Sequence, residues 1–167
     1  MDLPKRKKNR LDDYDYSQNG AYFITICTKS RKKILSDIVG AIHESPEIKL
    51  TPYGRILDNH ISNLNARFDI NIDKYVIMPD HIHLIIVITE RAIRESPLRR
   101  RSLISQAIGF LKMNAARDIH NAGYNGDIWQ RSYYDHIIRD KNDYNEIWEY
   151  IENNPKKWIE THKTQDA

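Results

Sequence analysis

Two histidines separated by one residue, His81 and His83, are the first chemistry this sequence offers. Side chains of an extended strand alternate between faces, so the two imidazoles project from the same side. A rise of about 3.3 Å per residue sets their Cβ atoms roughly 6–7 Å apart, close enough to share one divalent ion. The spacing alone serves equally well as two polar residues at the mouth of a core strand. A second candidate is Tyr150 with Asn154, four residues apart and so on one face of a helix. A phenol can act as a nucleophile in group transfer, and a side-chain amide is a hard oxygen ligand. Their plain reading is a tyrosine at the core boundary and an asparagine that ends its helix.

These residues need rigid elements behind them. Tyr75-Val76-Ile77 and the run from His81 to Ile88 read as two strands joined by a tight turn at Met78-Pro79-Asp80. Leu84 to Ile88 is too apolar to be solvated and anchors the histidine pair in a core. An earlier strand is expected over residues 21–28, rich in aromatic and β-branched types. Residues 29–50 are charged, contain Gly40 and Pro46, and read as a loop with one short element. Thr51 and Pro52 then open a helix as N-cap and first residue. Its stripe Ile56, His60 and Leu64, with Leu57 and Ile61 beside it, predicts an amphipathic helix ending near Phe68. His60 on that stripe reads as a packed histidine.

A strand over residues 70–77 leads into the histidine strand. A charged loop follows, then a long helix from about Ser102 to Ile119 with Leu103, Ile104, Ala107, Ile108, Leu111 and Ala115 on its apolar stripe. Residues 128–139 contain a fourth strand. The last helix is expected from about Asn142 to Asn153, ended by Pro155, which cannot continue a helix interior. The order strand, helix, strand, strand, helix, strand predicts an α+β, ferredoxin-like antiparallel sheet. Its helices cover one face, and the C-terminal helix with Tyr150 is available for the other. The chain divides into a basic arm (1–13), one domain (14–158) and a polar tail (159–167).

With 40% hydrophobic and 29% charged residues in 167, the balance is that of a soluble single domain. No apolar run approaches the roughly 20 residues that span a bilayer, and the N-terminus lacks a secretory signal, so a cytoplasmic protein away from membranes is expected. The single cysteine, Cys27, excludes an internal disulfide and a cysteine-based zinc site, and reads as a buried inert thiol. Net charge is only +3, but it is clustered. Lys5, Arg6, Lys7, Lys8 and Arg10 form one group, Lys29 with Arg31, Lys32 and Lys33 a second, and Arg99, Arg100 and Arg101 a third. Such clusters suit a phosphate backbone.

Three stretches in order carry a family resemblance: Met78-Pro79-Asp80-His81-Ile82-His83-Leu84, Trp129-Gln130-Arg131-Ser132-Tyr133-Tyr134-Asp135-His136, and Tyr150-Ile151-Glu152-Asn153-Asn154-Pro155. Together with residues 14–28 they resemble the REP-associated tyrosine transposases, relatives of the small single-strand insertion-sequence transposases. The likeness covers about residues 10 to 158.

The resemblance implies a metal-dependent endonuclease and strand transferase of the HUH type. Its substrate would be single-stranded DNA, often folded into palindromic hairpins. Tyr150 would attack the phosphodiester to give a 5′-phosphotyrosine. His81, His83 and Asn154 would hold Mg2+ or Mn2+, Asn154 standing where the insertion-sequence relatives carry the longer glutamine. Tyr133, Tyr134 and Tyr144 compete for the nucleophile's role, and position before Ile-Glu-Asn-Asn-Pro selects Tyr150. Asp135 and His136 serve either DNA contact or a structural hydrogen bond. His43, His120 and His162 lie in loop or tail contexts and receive no role. The branch implies a monomer rather than a homodimer. The alternatives are a DNA-hairpin-binding module without chemistry and an unrelated zinc hydrolase.

Overall fold

The computed structural model describes residues 19–40, 46–89 and 102–163. The basic arm with Lys5, Arg6, Lys7, Lys8 and Arg10, and the run Arg99, Arg100 and Arg101, lie outside the described residues. The chain forms β1 (Gly20–Cys27), β2 (Ser36–Val39), β3 (Glu47–Leu50), α1 (Pro52–Ser62), α2 (Leu64–Phe68), β4 (Ile70–Ile77), β5 (His81–Ile88), α3 (Leu103–Asn121), β6 (Tyr134–Ile138) and α4 (Lys141–Lys163). Four strands make one sheet in the order β4-β5-β1-β6, with every neighbour antiparallel. This is the ferredoxin-like plan expected from element order. The expected loop over residues 29–50 instead holds two short strands, β2 and β3, paired with each other.

Strand alternation divides the sheet into two faces. Tyr22, Ile24 and Ile26 of β1 and Ile82, Leu84 and Ile86 of β5 point into one core, against Leu57 and Ile61 of α1 and Ile104, Ile108 and Leu111 of α3. The opposite residues, Phe23 of β1 and Ile85 of β5, meet Val76, Met78 and Ile151 in a second core beneath α4. His81 and His83 belong to this second face.

The helix starts follow their caps. Thr51 Oγ1 accepts from the Gly54 amide at 3.1 Å and donates to backbone carbonyls of the preceding loop. Gly54 is required for this approach: a Cβ there would lie 1.9 Å from the Leu35 carbonyl oxygen. The expected single helix to Phe68 is interrupted at Asn63, which caps α1 before α2 begins.

The last helix does not stop at Pro155. It runs on to Lys163 with Pro155 in its interior, so residues 159–163 are helix rather than polar tail. Proline in a helix interior costs about 3 kcal/mol. Burial of Ile159 alone, 6% exposed, returns roughly 1.5–3 kcal/mol, and the half-buried Trp158 packs on the second core beside it. Tertiary packing therefore holds the second half of α4 in place.

The first half of α4 is tied down at three points. Tyr144 Oη donates to Asp73 Oδ2 of β4 at 3.1 Å. Lys74 pairs with Glu152 and lies 4.2 Å from the Trp148 ring centroid. His136 Nε2 meets both carboxylate oxygens of Asp143, in the helix's first turn, at 3.0 and 3.1 Å. His136 is thus a structural link between β6 and α4. Among the described residues no helix is long and apolar enough to cross a membrane.

Candidate nuclease site between the histidine strand and the last helix

The β4–β5 turn fixes the first histidine. Met78 N–H donates to the His81 carbonyl at 2.9 Å, closing the turn. The Asp80 carbonyl takes bonds from Thr28 N–H and Thr28 Oγ1, and the Pro79 carbonyl takes bonds from the Ile34 and Leu35 amides. The buried Asp80 carboxylate then reaches His81 Nδ1 at 2.5 Å with Oδ1 and Arg31 Nε at 3.0 Å with Oδ2. A carboxylate only accepts, so Nδ1 of His81 carries a proton, and in the neutral tautomer Nε2 is the nitrogen that keeps the lone pair. Arg31 is held there by an unusual turn: Ser30 and Arg31 both have positive φ, 55° and 56°. Arg31 Nη1 also donates to Cys27 Sγ at 2.8 Å. Cys27 is half-buried rather than fully buried as expected.

His83 is built in the same way. Its Nδ1 lies 2.9 Å from Thr25 Oγ1 on β1, and its ring stacks on Phe23 at 5.1 Å between centroids. Its Nε2 is buried with no partner. Burial, then repulsion from His81 in its protonated form and from Arg31, lower the His83 pKa to about 3. The imidazole is therefore neutral at physiological pH, the state a metal ligand needs. The two imidazole centroids are 4.6 Å apart. Histidines that bind metals usually have Nδ1 held by a carboxylate or other oxygen in this way, leaving Nε2 for the ion.

Across from this pair lies the stripe of α4 that carries Tyr150, Asn154, Lys157, Trp158, Thr161 and His162, and a cavity of about 470 Å³ separates the two. The Tyr150 ring meets His83 edge-on at 5.2 Å and Phe23 at 5.9 Å, and is 39% exposed. Asn154 lines the same cavity and is buried. The Lys157 ammonium lies 5.1 Å from the Tyr150 ring centroid. Trp158 stacks on His162 at 3.9 Å and faces His81 at 6.1 Å. Continuation of α4 past Pro155 thus gives His162, which the sequence left without a role, a place on the cavity wall.

Of the competing tyrosines, Tyr133 turns its hydroxyl to Ser105 Oγ at 3.1 Å and packs on the first core. Tyr144 is committed to Asp73; burial, and then Asp73, raise its phenol pKa. Tyr134 does line the cavity. His60 bonds Asp118 Oδ2 at 2.8 Å, joining α1 to α3 as a packed histidine. Trp129 and Gln130 are structural too: Trp129 Nε1 donates to the Lys112 carbonyl, and Gln130 N–H to the Cys27 carbonyl. Reasoning from sequence missed Asp80, Thr25, Arg31 and Lys157. Only Asp80, adjacent to His81 in the turn, carried a signal.

An antiparallel ferredoxin-like sheet with paired histidines on the face beneath a tyrosine-bearing helix defines the class of this protein. The chain belongs to the IS200-like transposase family, whose model matches residues 16–154. It is 36% identical over 166 residues to an uncharacterized protein of Haemophilus influenzae, spanning 92% of this chain and 89% of that one. It is 27% identical over 148 residues to a candidate REP-associated tyrosine transposase of the same organism, spanning 86% and 74% of the two chains. In fold it is similar to a REP-associated tyrosine transposase solved with a REP hairpin, with a TM-score of 0.61, 21% identity, and coverage of 89% of this chain and 74% of that one. A candidate transposase of Deinococcus radiodurans gives a TM-score of 0.52 at 20% identity, with coverage of 89% and 97%.

Proposed function

We propose that this protein is a metal-dependent endonuclease and strand transferase acting on single-stranded DNA, including palindromic hairpins, with Tyr150 as its nucleophile. One observation carries the reading: Tyr150, far along the chain from His83, meets its imidazole ring within one cavity. Two Nε2 atoms and the Asn154 amide oxygen would form a donor set that brings no negative charge, and the unpartnered buried Nε2 of His83 fits a ligand role. His81, His83 and Asn154 would hold Mg2+ or Mn2+, with water and phosphate oxygens completing the shell. When bound, the ion supplies Lewis-acid stabilisation of charge on the phosphate.

The chain's own residues do the rest. Tyr150 Oη forms a bond to the phosphorus of the scissile diester and loses its proton to solvent. The bond from phosphorus to the 3′-oxygen breaks, and the departing strand end leaves as a 3′-hydroxyl. The product is a 5′-phosphotyrosine that retains the bond energy, so an incoming 3′-hydroxyl reverses the step and joins strands. Asp80 and Thr25 keep both imidazoles oriented. The three ties on α4 bring Tyr150 to the histidines of its own chain, which supports a monomeric enzyme. The basic arm and Arg99, Arg100 and Arg101 are proposed DNA contacts on charge alone.

The test uses end-labelled single-stranded oligonucleotides from the flanks of the protein's own gene, with and without Mn2+, resolved on a denaturing gel. A metal-dependent protein–DNA adduct is expected and should vanish in Tyr150→Phe. Hairpin binding without any adduct, indifferent to metal and to His81→Ala, would instead establish a binding module.

A further inference from the structure

We propose that Tyr134 is a stacking subsite for an unpaired nucleobase next to the scissile phosphate, an inference that rests on the single-strand reading above. Tyr134 opens β6, the edge strand of the sheet. The register places it opposite Thr25, which is in turn opposite His83, so the three stand in one row across the sheet. Two strand spacings separate Tyr134 from His83, about 10 Å of backbone distance. That is the reach of a base from the phosphate it flanks.

Its neighbours on this face of β6 are partly buried and engaged elsewhere. His136 is held by Asp143, and Ile138 packs on the second core. Tyr134 is the most exposed of the three, at 54%, and the one that lines the cavity. A large aromatic face beside a phosphodiester-binding site is what sequence-tolerant single-strand recognition uses, since every base has a π-face. Tyr134 also sits on a rigid strand two spacings from His83, whereas the Tyr150 ring contacts that histidine directly. This placement favours stacking over attack.

The test compares wild type, Tyr134→Ala and Tyr134→Phe as full-length proteins, each confirmed folded by thermal melting. Fluorescence anisotropy reads binding to labelled oligothymidylate and to an abasic strand of equal length. Wild type should prefer the strand that carries bases. Tyr134→Ala should weaken oligothymidylate binding about 5- to 150-fold, the effect of losing one stacked base, and leave abasic binding unchanged. Tyr134→Phe should bind as wild type and still form the Mn2+-dependent adduct. Equal loss on both strands, no loss, or a Phe variant as weak as Ala would each overturn the stacking role while leaving the nuclease reading intact. A Phe variant that binds but forms no adduct would make Tyr134 the nucleophile and overturn both. Failure of wild type to bind either strand would also overturn both.

Discussion

Asp80→Ala tests whether the histidine pair is a metal site or a polar decoration of the sheet. The Asp80 carboxylate is buried, accepts the His81 Nδ1 proton and is paired with Arg31. The β4–β5 turn itself is tied through backbone carbonyls and should survive the substitution. Arg31 is half exposed and can recover water. The stability cost is therefore chiefly that of an unsatisfied buried imidazole N–H, about 1–3 kcal/mol. Loss of a carboxylate that orients a histidine ligand typically lowers metal affinity 10- to 100-fold, about 1.4–2.7 kcal/mol. Asp80→Asn should lie between, since an amide oxygen can still accept from Nδ1 without the negative charge. Titration calorimetry with Mn2+ on folded protein reads the affinity, and urea unfolding without metal reads the stability. Unchanged Mn2+ affinity in folded Asp80→Ala would refute the argument that Asp80 presents His81 Nε2 to an ion.

Lys157→Met should slow single-turnover adduct formation about 100-fold, because its ammonium stands beside Tyr150 on the cavity wall while Arg31 is engaged by Asp80; Lys156→Met should leave the rate unchanged. Gly54→Ala should destabilise the fold by about 1–3 kcal/mol, because the added Cβ meets the Leu35 carbonyl; urea unfolding reading a gain, as helix propensity alone predicts, would contradict this. His83 gives a pH signature in the metal-free protein. Its folded pKa of about 3 lies below the ordinary 6.5, so the unfolded chain binds the extra proton between them. Stability from this group is complete above 6.5 and falls as pH drops toward 3, by up to about 1.4 kcal/mol per pH unit. His83→Gln should flatten that slope in thermal unfolding between pH 7 and pH 5.

Much of the site could be read from the chain because its parts obey local periods. The alternation of β5 put His81 and His83 on one face, and the helical period put Tyr150 with Asn154. What escaped depended on contacts distant in sequence. The helix continues past Pro155 because Trp158 packs against the second core and Ile159 is buried, and no local rule reports such packing. Arg31 read as one member of a surface cluster. Only the turn at Ser30 and Arg31 and the buried Asp80 make it part of the histidine support. Tyr133 and Tyr134 are equivalent by type, and strand alternation sends one to the first core and the other to the cavity. The helix break at Asn63 and the β2–β3 pair also lay below the resolution of pattern.

The three ties on α4 bear on how strands would be exchanged. Tyr144 to Asp73, Lys74 to Glu152 and His136 to Asp143 fasten the tyrosine helix to both outer strands of the sheet. To act as a swinging arm that ferries its covalently held DNA from one partner strand to another, a helix so moored would first have to break all three ties. In the proposed reaction the protein is the stationary jig, and the nucleic acid must refold around it to bring the next 3′-hydroxyl to the phosphotyrosine. The pace of joining then belongs to the DNA's own hairpin dynamics rather than to a protein hinge.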